Sequence, residues 1–306
     1  MARRRRGLPV DGVLLLDKPR GASSNHALQR ARRLFQAQKA GHTGTLDPMA
    51  TGLLPVCFGE ATKFSAFLLE ADKTYRTRVE LGVITDSGDA EGEVVERRAV
   101  PGLTEADLRD VLERFTGEIE QVPPMHSALK HQGRKLYELA REGKSVERAA
   151  RRVRVYDARL LSFEGTAFEL EVRVSKGTYI RTLAEDIGEA LGCGAHISAL
   201  RRLASGPFRD AEGMRAPEQL EALPDQAARE AVLLPVDVLV AHLPALAVDD
   251  AAARRLCHGQ AARVDVGGLA ADAIVRLYRD EAFLGLGTVT GPQEVAPKRL
   301  LNTAAA

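Results

Sequence analysis

Gly41-His42-Thr43-Gly44-Thr45-Leu46-Asp47-Pro48-Met49-Ala50-Thr51-Gly52 is the stretch of this 306-residue chain that carries most information. Its three glycines permit close backbone approach or unusual dihedrals. Pro48 biases Asp47 toward an extended conformation. Such a loop either presents a carboxylate for chemistry or folds it back to cap neighbouring amides, and the residues alone allow both. No Gly-Lys-Ser/Thr follows, so this is no Walker A loop. The glycine spacing is also wrong for a dinucleotide fingerprint.

Regular structure is predicted on both sides of the loop. Upstream, Val13-Leu14-Leu15-Leu16 reads as a buried strand that ends in the turn Asp17-Lys18-Pro19-Arg20-Gly21. Ser24 is placed to cap a helix with Ala27, Leu28, Ala31, Leu34 and Phe35 on one face. Downstream, Leu53-Leu54-Pro55-Val56 is apolar. From Thr74 to Leu81 the pattern alternates, with Tyr75, Thr77, Val79 and Leu81 on one face. Thr104, with Asp107 three residues on, opens a helix striped by Leu108, Val111, Leu112 and Phe115 and ended by Gly117. Phe168, Leu170, Val172 and Val174 alternate as a strand. Thr178 is expected to cap the next helix, striped by Ile180, Leu183, Ile187 and Leu191, with Gly192 stopping it. Pro217, Pro224, Pro235 and Pro244 mark 216–244 as a helical connector. Beyond it, Ala273–Tyr278 and Phe283–Val289 read as short strands of a small β-rich module. The expected architecture is α+β: a mixed-sheet body over 1–242 and a small β-rich domain over 243–306.

The remaining singular residues have two readings each. Arg181 falls in a helix's first turn, where the macrodipole disfavours a cation; it is either exposed or compensated by an acid. Tyr75 either packs in the core or offers its ring to a base. His42 stands alone, and His126 and His131 make a poor metal site. Cys57, Cys193 and Cys257 lie too far apart for a metal quartet or a disulfide framework, which fits a reducing, cytoplasmic compartment. No run of ~18 apolar residues is present, so no transmembrane span is expected. No apolar h-region follows Arg3–Arg6, so no secretory signal is expected. Net charge is only +1, but the 43 basic residues comprise 34 Arg and nine Lys. Residues 123–159 carry ten Lys or Arg against four Asp or Glu, a local excess of six positive charges. A charge run is usually a solvated face, but this density makes a surface that tracks phosphates as good a reading.

Taken together, these segments resemble bacterial TruB-type tRNA pseudouridine synthases. The Gly41–Gly52 loop resembles the catalytic motif. Asp17-Lys18-Pro19 with Gly21 and Ser23-Ser24, Lys73-Thr74-Tyr75, Pro123–Lys130, Lys176-Gly177-Thr178-Tyr179-Ile180-Arg181 and Leu200-Arg201-Arg202 resemble the other motifs, in the family's order over residues 11–203. Arg263 through Lys298 more loosely resemble a PUA RNA-binding domain. The Arg3–Arg6 tail matches nothing in the pattern and is assigned no role. The resemblance implies that Asp47 is the essential aspartate, that Tyr75 stacks on the target uracil, and that Arg181 pairs with Asp47. It implies that His42 fills the space left by a flipped base, and that Lys18, Pro19, Tyr179 and Leu200 help to hold substrate. Asp89 falls in a recurrent acidic loop. The implied activity is isomerisation of uridine at position 55, in the T-loop of tRNA, by a cytoplasmic monomer. It uses no cofactor, no metal, no membrane and no obligate protein partner. Two other readings compete: a non-catalytic tRNA-binding or tRNA-folding protein on the same scaffold, and a phosphate-handling enzyme that uses the glycine-rich loop.

The basic stretch has a measurable consequence. Raising salt from about 50 to about 200 mM should weaken tRNA binding by on the order of tenfold or more, as several phosphate contacts release counterions. Filter binding across that range checks it, and a flat response would refute phosphate tracking.

Overall fold

The computed structural model describes residues 7–210 and 213–302; the Arg3–Arg6 tail lies outside them. The apolar run after Gly12 forms β1 (Gly12–Lys18), followed by α1 (Ser24–Leu34), β2 (Ala40–His42) and β3 (Thr51–Phe58). The alternating segment forms β4 (Lys73–Leu81). Then come α2 (Glu105–Arg114), β5 (Gly117–Gln121), β6 (Arg151–Phe163), β7 (Ala167–Val174), α3 (Ile180–Ala190) and β8 (Ala195–Ser205). The main sheet runs β1-β3-β8-β4-β7-β6-β5. Its β3–β8 pair is parallel and the other neighbours along this path are antiparallel, so the sheet is mixed, as expected.

The register of β3 shapes the functional region. β1 covers one edge of β3 from Gly52 to Phe58. The opposite edge is shared: β2 takes Val56–Phe58, and β8 takes Thr51 and Gly52. Between them, over Leu53–Pro55, that edge has no strand, and the Gly41–Gly52 loop lies beside the opening. Gly52 has φ +96°, and a Cβ there would collide with the Arg202 backbone, so glycine is required where β8 joins β3.

Alternation buries one face of β4 and β7, with Val79, Phe168, Leu170 and Val172, against Leu183 and Ile187 of α3 and Leu108, Val111 and Leu112 of α2. Leu46, Met49 and Ala50 of the loop join this same core. α1 lays Ala27, Leu28 and Ala31 on Leu14, Leu16, Leu54 and Val56. The other faces of β1 and β3, with Val13, Leu15 and Leu53, meet Phe64 and Leu286. Leu286 belongs to the β-rich C-terminal module, in which β9 (Ala245–Ala247), α4 (Asp250–Cys257), β10 (Ala262–Arg263), β11 (Ile274–Arg279), β12 (Ala282–Gly291) and β13 (Glu294–Leu300) form a sheet of order β9-β11-β12-β13-β10. Phe64 and Phe283 meet across the boundary at 5.6 Å between ring centroids.

Several local expectations are corrected. Ser23 caps α1 by accepting from the His26 N–H at 3.1 Å, whereas Ser24 is the first helical residue. Its buried hydroxyl accepts from the Leu46 N–H (2.8 Å) and lies 2.9 Å from the Leu46 carbonyl, to which it donates. Tyr179, not Thr178, is the residue before α3; the Thr178 hydroxyl donates to the Ser175 carbonyl at 2.9 Å instead. Gly117 opens β5, while Phe115 caps α2. Residues 216–244 do more than connect: Leu220 is fully buried in the α1 core, and Leu234 exchanges two backbone hydrogen bonds with Val13.

Removing the Ser24 hydroxyl strands the buried Leu46 amide. Ser24→Ala should cost about 1–3 kcal/mol of stability. Urea denaturation checks it; an unchanged midpoint would show that the loop is held elsewhere.

Candidate active site

Each residue around Asp47 is fastened to a different element. The Thr43 N–H donates to the Pro55 carbonyl at 3.2 Å, inside the opening on the edge of β3. The Gly44 carbonyl accepts from Nη2 of Arg202 in β8 at 3.2 Å. Leu46 is tied to Ser24 of α1. The Pro48 carbonyl accepts from the Gly21 N–H (2.8 Å) and from the Lys18 ammonium (3.2 Å). The Ala50 N–H closes a turn onto the Asp47 carbonyl at 3.1 Å. With the backbone so occupied, the Asp47 side chain is left to face a cavity of about 320 Å³. Of the two readings of this loop, presentation is the one adopted.

That cavity is bounded by Asp47, Tyr75, Tyr179, Arg181 and Leu200 among the residues singled out from the sequence, and also by Lys73 and Arg202. The Arg181 side chain is 4% exposed, and its Nε lies 3.1 Å from Oδ2 of Asp47. The contact is an ion pair without an aligned hydrogen bond, since the Nε–H finds no acceptor in line. Alignment comes from the other two nitrogens, which donate to the Ser87 and His126 carbonyls, each at 2.6 Å. Asp89 lies farther from the same Nε, at 3.8 Å; it is buried and accepts from the Ser87 hydroxyl and the Glu91 N–H. Arg181 thus joins the Asp47 loop, the 85–92 turn and the 123–129 segment. Burial pushes the Asp47 pKa above its ordinary 3.8; Arg181 pulls the other way, Asp89 adds to the rise and Lys18 opposes it.

Lys18, Pro19 and His42 do not border this cavity. Lys18 is fully buried behind the loop, where its ammonium donates to the carbonyls of Pro19, Ala22 and Pro48. Burial lowers its pKa to about 8, against the pull of Asp47 and Glu91, with a smaller depression from Arg202. His42 ends β2, half-buried, and its Nδ1 has no hydrogen-bond partner. Two cations bordering the cavity were quoted in motifs but given no role: Lys73 and Arg202. The Lys73 ammonium donates to the Leu68, Leu69 and Ala71 carbonyls, and burial followed by Arg202 lowers its pKa to about 8. Among the described residues, no group of three or more His, Cys, Asp or Glu is placed to hold a metal ion.

Comparison with known proteins gives this geometry a lineage. The model of the TruB family pseudouridylate synthase N-terminal domain matches residues 32–180, that of the tRNA pseudouridylate synthase B C-terminal domain matches 181–241, and that of the pseudouridine synthase II TruB C-terminal region matches 244–301. The chain is 72% identical to tRNA pseudouridine synthase B of Chromohalobacter salexigens, over 99% of this chain and 98% of that one. The chain belongs to the TruB family of pseudouridylate synthases. It is also 55% identical to tRNA pseudouridine synthase B of Chromobacterium violaceum, over 95% of each chain. Among solved structures, a chain of a Cbf5-Nop10-Gar1 complex aligns at TM-score 0.71 and 27% identity, covering 98% of this chain and 91% of the other. A chain of an H/ACA RNP bound to a substrate RNA containing 2′-deoxyuridine aligns at TM-score 0.72 and 26% identity, with the same coverage. Membership of the TruB family makes the chain an enzyme and matches the mixed sheet with its β-rich C-terminal domain.

The raised Asp47 pKa fixes a pH dependence. The family resemblance implies Asp47 as the essential carboxylate, and only an ionised carboxylate can act as nucleophile or base; on that expectation activity is full above its folded-state pKa and falls as pH drops through it. The acid limb of the single-turnover rate should therefore lie above 3.8. Loss of the Arg181 cation in Arg181→Met should move that limb higher still. A limb that stays put in the variant would mean that Arg181 does not govern Asp47 ionisation.

Proposed function

We propose that this chain isomerises uridine to pseudouridine in the T-loop of tRNA, at position 55, with Asp47 as the essential carboxylate acting on a flipped-out base. The reading rests above all on the Arg181–Asp47 ion pair set in a cavity beside Tyr75. Similarity to tRNA pseudouridine synthases over nearly the whole chain supports tRNA as the substrate.

The reaction breaks the N1–C1′ bond, turns the base and joins C5 to C1′. It has no net redox change and calls for no external energy. A cavity of about 320 Å³ admits a base only after it leaves the helical stack, which flipping achieves. Tyr75 offers its ring to the uracil face, and Leu200 and Tyr179 close the walls. Asp47 is then placed to attack the sugar or the base, or to take a proton from the 2′ carbon. Arg181 keeps it ionised and oriented. His42, at the end of β2, fills the space that the flipped base vacates, while Lys18 and Pro19 support substrate indirectly by holding the Pro48 carbonyl and the 17–21 turn.

The stretch from 123 to 159 supplies the phosphate contacts. It runs from the His126 carbonyl that holds Arg181 through a hairpin (Lys130–His131 with Arg134–Lys135) and a short helix (Leu136–Arg141) to β6. Its charges are mostly exposed. In this reading the protein works as a cytoplasmic monomer without an obligate protein partner. Among the described residues, no helix is long and apolar enough to cross a membrane.

A mutant cycle tests the core of the reading. Asp47→Ala should abolish pseudouridine formation and leave tRNA affinity nearly unchanged. Arg181→Met should slow turnover strongly, and Arg181→Lys should recover only part of it, because Lys lacks the fork that holds two carbonyls at once. With Asp47 already Ala, removing Arg181 should cost almost nothing more. The measurement is the single-turnover rate on a T-stem-loop RNA for both singles and the double. Asp47→Ala reacting within about tenfold of wild type would return the chain to a non-catalytic tRNA-binding role.

A further inference from the structure

Arg202 is among the largest fully buried side chains, 1% exposed, and among the described residues no carboxylate pairs with it. Its strand neighbour Arg201 takes Asp17 and Asp210. A buried guanidinium without a counter-charge is costly unless something else satisfies it. Two of its five N–H groups are spoken for: Nε donates to the Leu53 carbonyl at 2.7 Å, in the opening on the edge of β3, and Nη2 donates to the Gly44 carbonyl. Among the described residues the other N–H groups have no protein acceptor, and the side chain borders the Asp47 cavity.

Register places this cation against the target base. Arg202 stands directly opposite Tyr75 in the β8–β4 ladder. Directly opposed residues project from one face with Cβ atoms about 5 Å apart. A uracil stacked on Tyr75 therefore meets Arg202 at its edge. The other two cations bordering the cavity are committed elsewhere: Lys73 spends all three donors on carbonyls, and Arg181 is held by Ser87, His126 and Asp47. The charge of Arg202 is felt across the site: His42 is lowered by burial and then by Arg202, and Lys18 and Lys73 also carry an Arg202 contribution beneath the larger effect of burial.

We propose that Arg202 is a further catalytic residue, whose free N–H groups bind a carbonyl oxygen of the flipped uracil and stabilise the negative charge that gathers there as the N1–C1′ bond breaks. The inference rests on the pseudouridine-forming activity described above. Whichever atom Asp47 engages first, the glycosidic electron pair passes to uracil and spreads over N1, O2 and O4. The ring turns, C5 bonds to C1′, C5 gives up its proton and N1 gains one, so product and substrate are isomers. A donor aimed at a developing oxyanion acts mainly in the transition state.

The test compares leaving groups. Fluorine at C5 makes 5-fluorouracil the more acidic leaving group, which depends less on an external cation. Wild type, Arg202→Lys and Arg202→Gln are assayed in single turnover on two T-stem-loop RNAs, one with uridine and one with 5-fluorouridine at the target, following loss of the N-glycoside. Arg202→Gln should slow uridine cleavage by roughly 10²–10³-fold, the cost of one oxyanion donor. It should slow 5-fluorouridine cleavage by about tenfold less than that. Arg202→Lys should fall between, and RNA affinity should stay within about threefold of wild type. Because the two substrates are compared on one preparation, a partly unfolded variant cannot mimic the difference. Equal slowing of both, or no slowing, overturns the catalytic role and leaves Arg202 a loop anchor. Wild-type enzyme that makes no pseudouridine in tRNA overturns instead the functional reading beneath it.

Discussion

A partly buried carboxylate keeps its charge more readily when a fixed cation shares its surroundings, and the Arg181–Asp47 contact supplies one. The guanidinium is held by the Ser87 and His126 carbonyls, so its position does not depend on Asp47. The carboxylate sits opposite it because the loop backbone is pinned on either side. An ion pair built this way loses little conformational entropy when it forms, since both partners are placed before they meet. This also explains why Arg181 tolerates the first turn of α3: the acids Asp47 and Asp89 lie beside its Nε, at 3.1 and 3.8 Å, and offset the helix dipole.

The pinning depends on an irregularity in the sheet. Had β2 or β8 run the full length of β3, the carbonyls of Leu53 and Pro55 would be spent on a ladder partner. Because the edge is divided, they accept instead from Arg202 and Thr43. The loop thereby joins the sheet by side-chain and single backbone bonds, and Leu46, Met49 and Ala50 enter the core beneath it. A glycine-rich segment, free in composition, becomes rigid through its surroundings.

Much of this was legible in the residues. Alternation located β4 and β7, the periodic stripes located α1, α2 and α3, and the joint pattern of motifs named the residues that meet in one cavity: Asp47, Tyr75, Tyr179, Arg181 and Leu200. Most of what escaped was set by tertiary contact. Ser24 reads as a cap because serine before an apolar stripe usually is one, yet its hydroxyl serves Leu46, 22 positions away. Thr178 was misread for a local reason: its hydroxyl turns back to the Ser175 carbonyl, and the helix begins one residue later. Lys18 reads as a charge available to substrate, whereas its three donors are consumed by carbonyls. Arg202 sits in a run of basic residues whose neighbour faces solvent acids, and only the register of β8 against β4 and β3 separates the two arginines. Strand register is a long-range property, and a single turn of composition carries no trace of it.

The distribution of charge inside the site has a direction. Arg181 is matched by Asp47 and Asp89, whereas Lys73 and Lys18 are held by backbone carbonyls and Arg202 is only partly so; carbonyls are dipoles and do not neutralise them. Burial is the main cause of the lowered pKa values of His42, Lys18 and Lys73, and Arg202 adds a smaller depression to each. What remains around the cavity is a cluster of buried positive charge in a region of reduced dielectric. It has little reason to exist for stability, because a buried cation held by carbonyls is no better than an apolar side chain of similar volume. It is well suited to a reaction in which a neutral base enters and becomes an anion in transit. The field opposes nothing in the ground state, is already oriented when the glycosidic bond stretches, and strengthens its hold as charge develops. The apolar cores on both faces of β1 and β3 offset that cost.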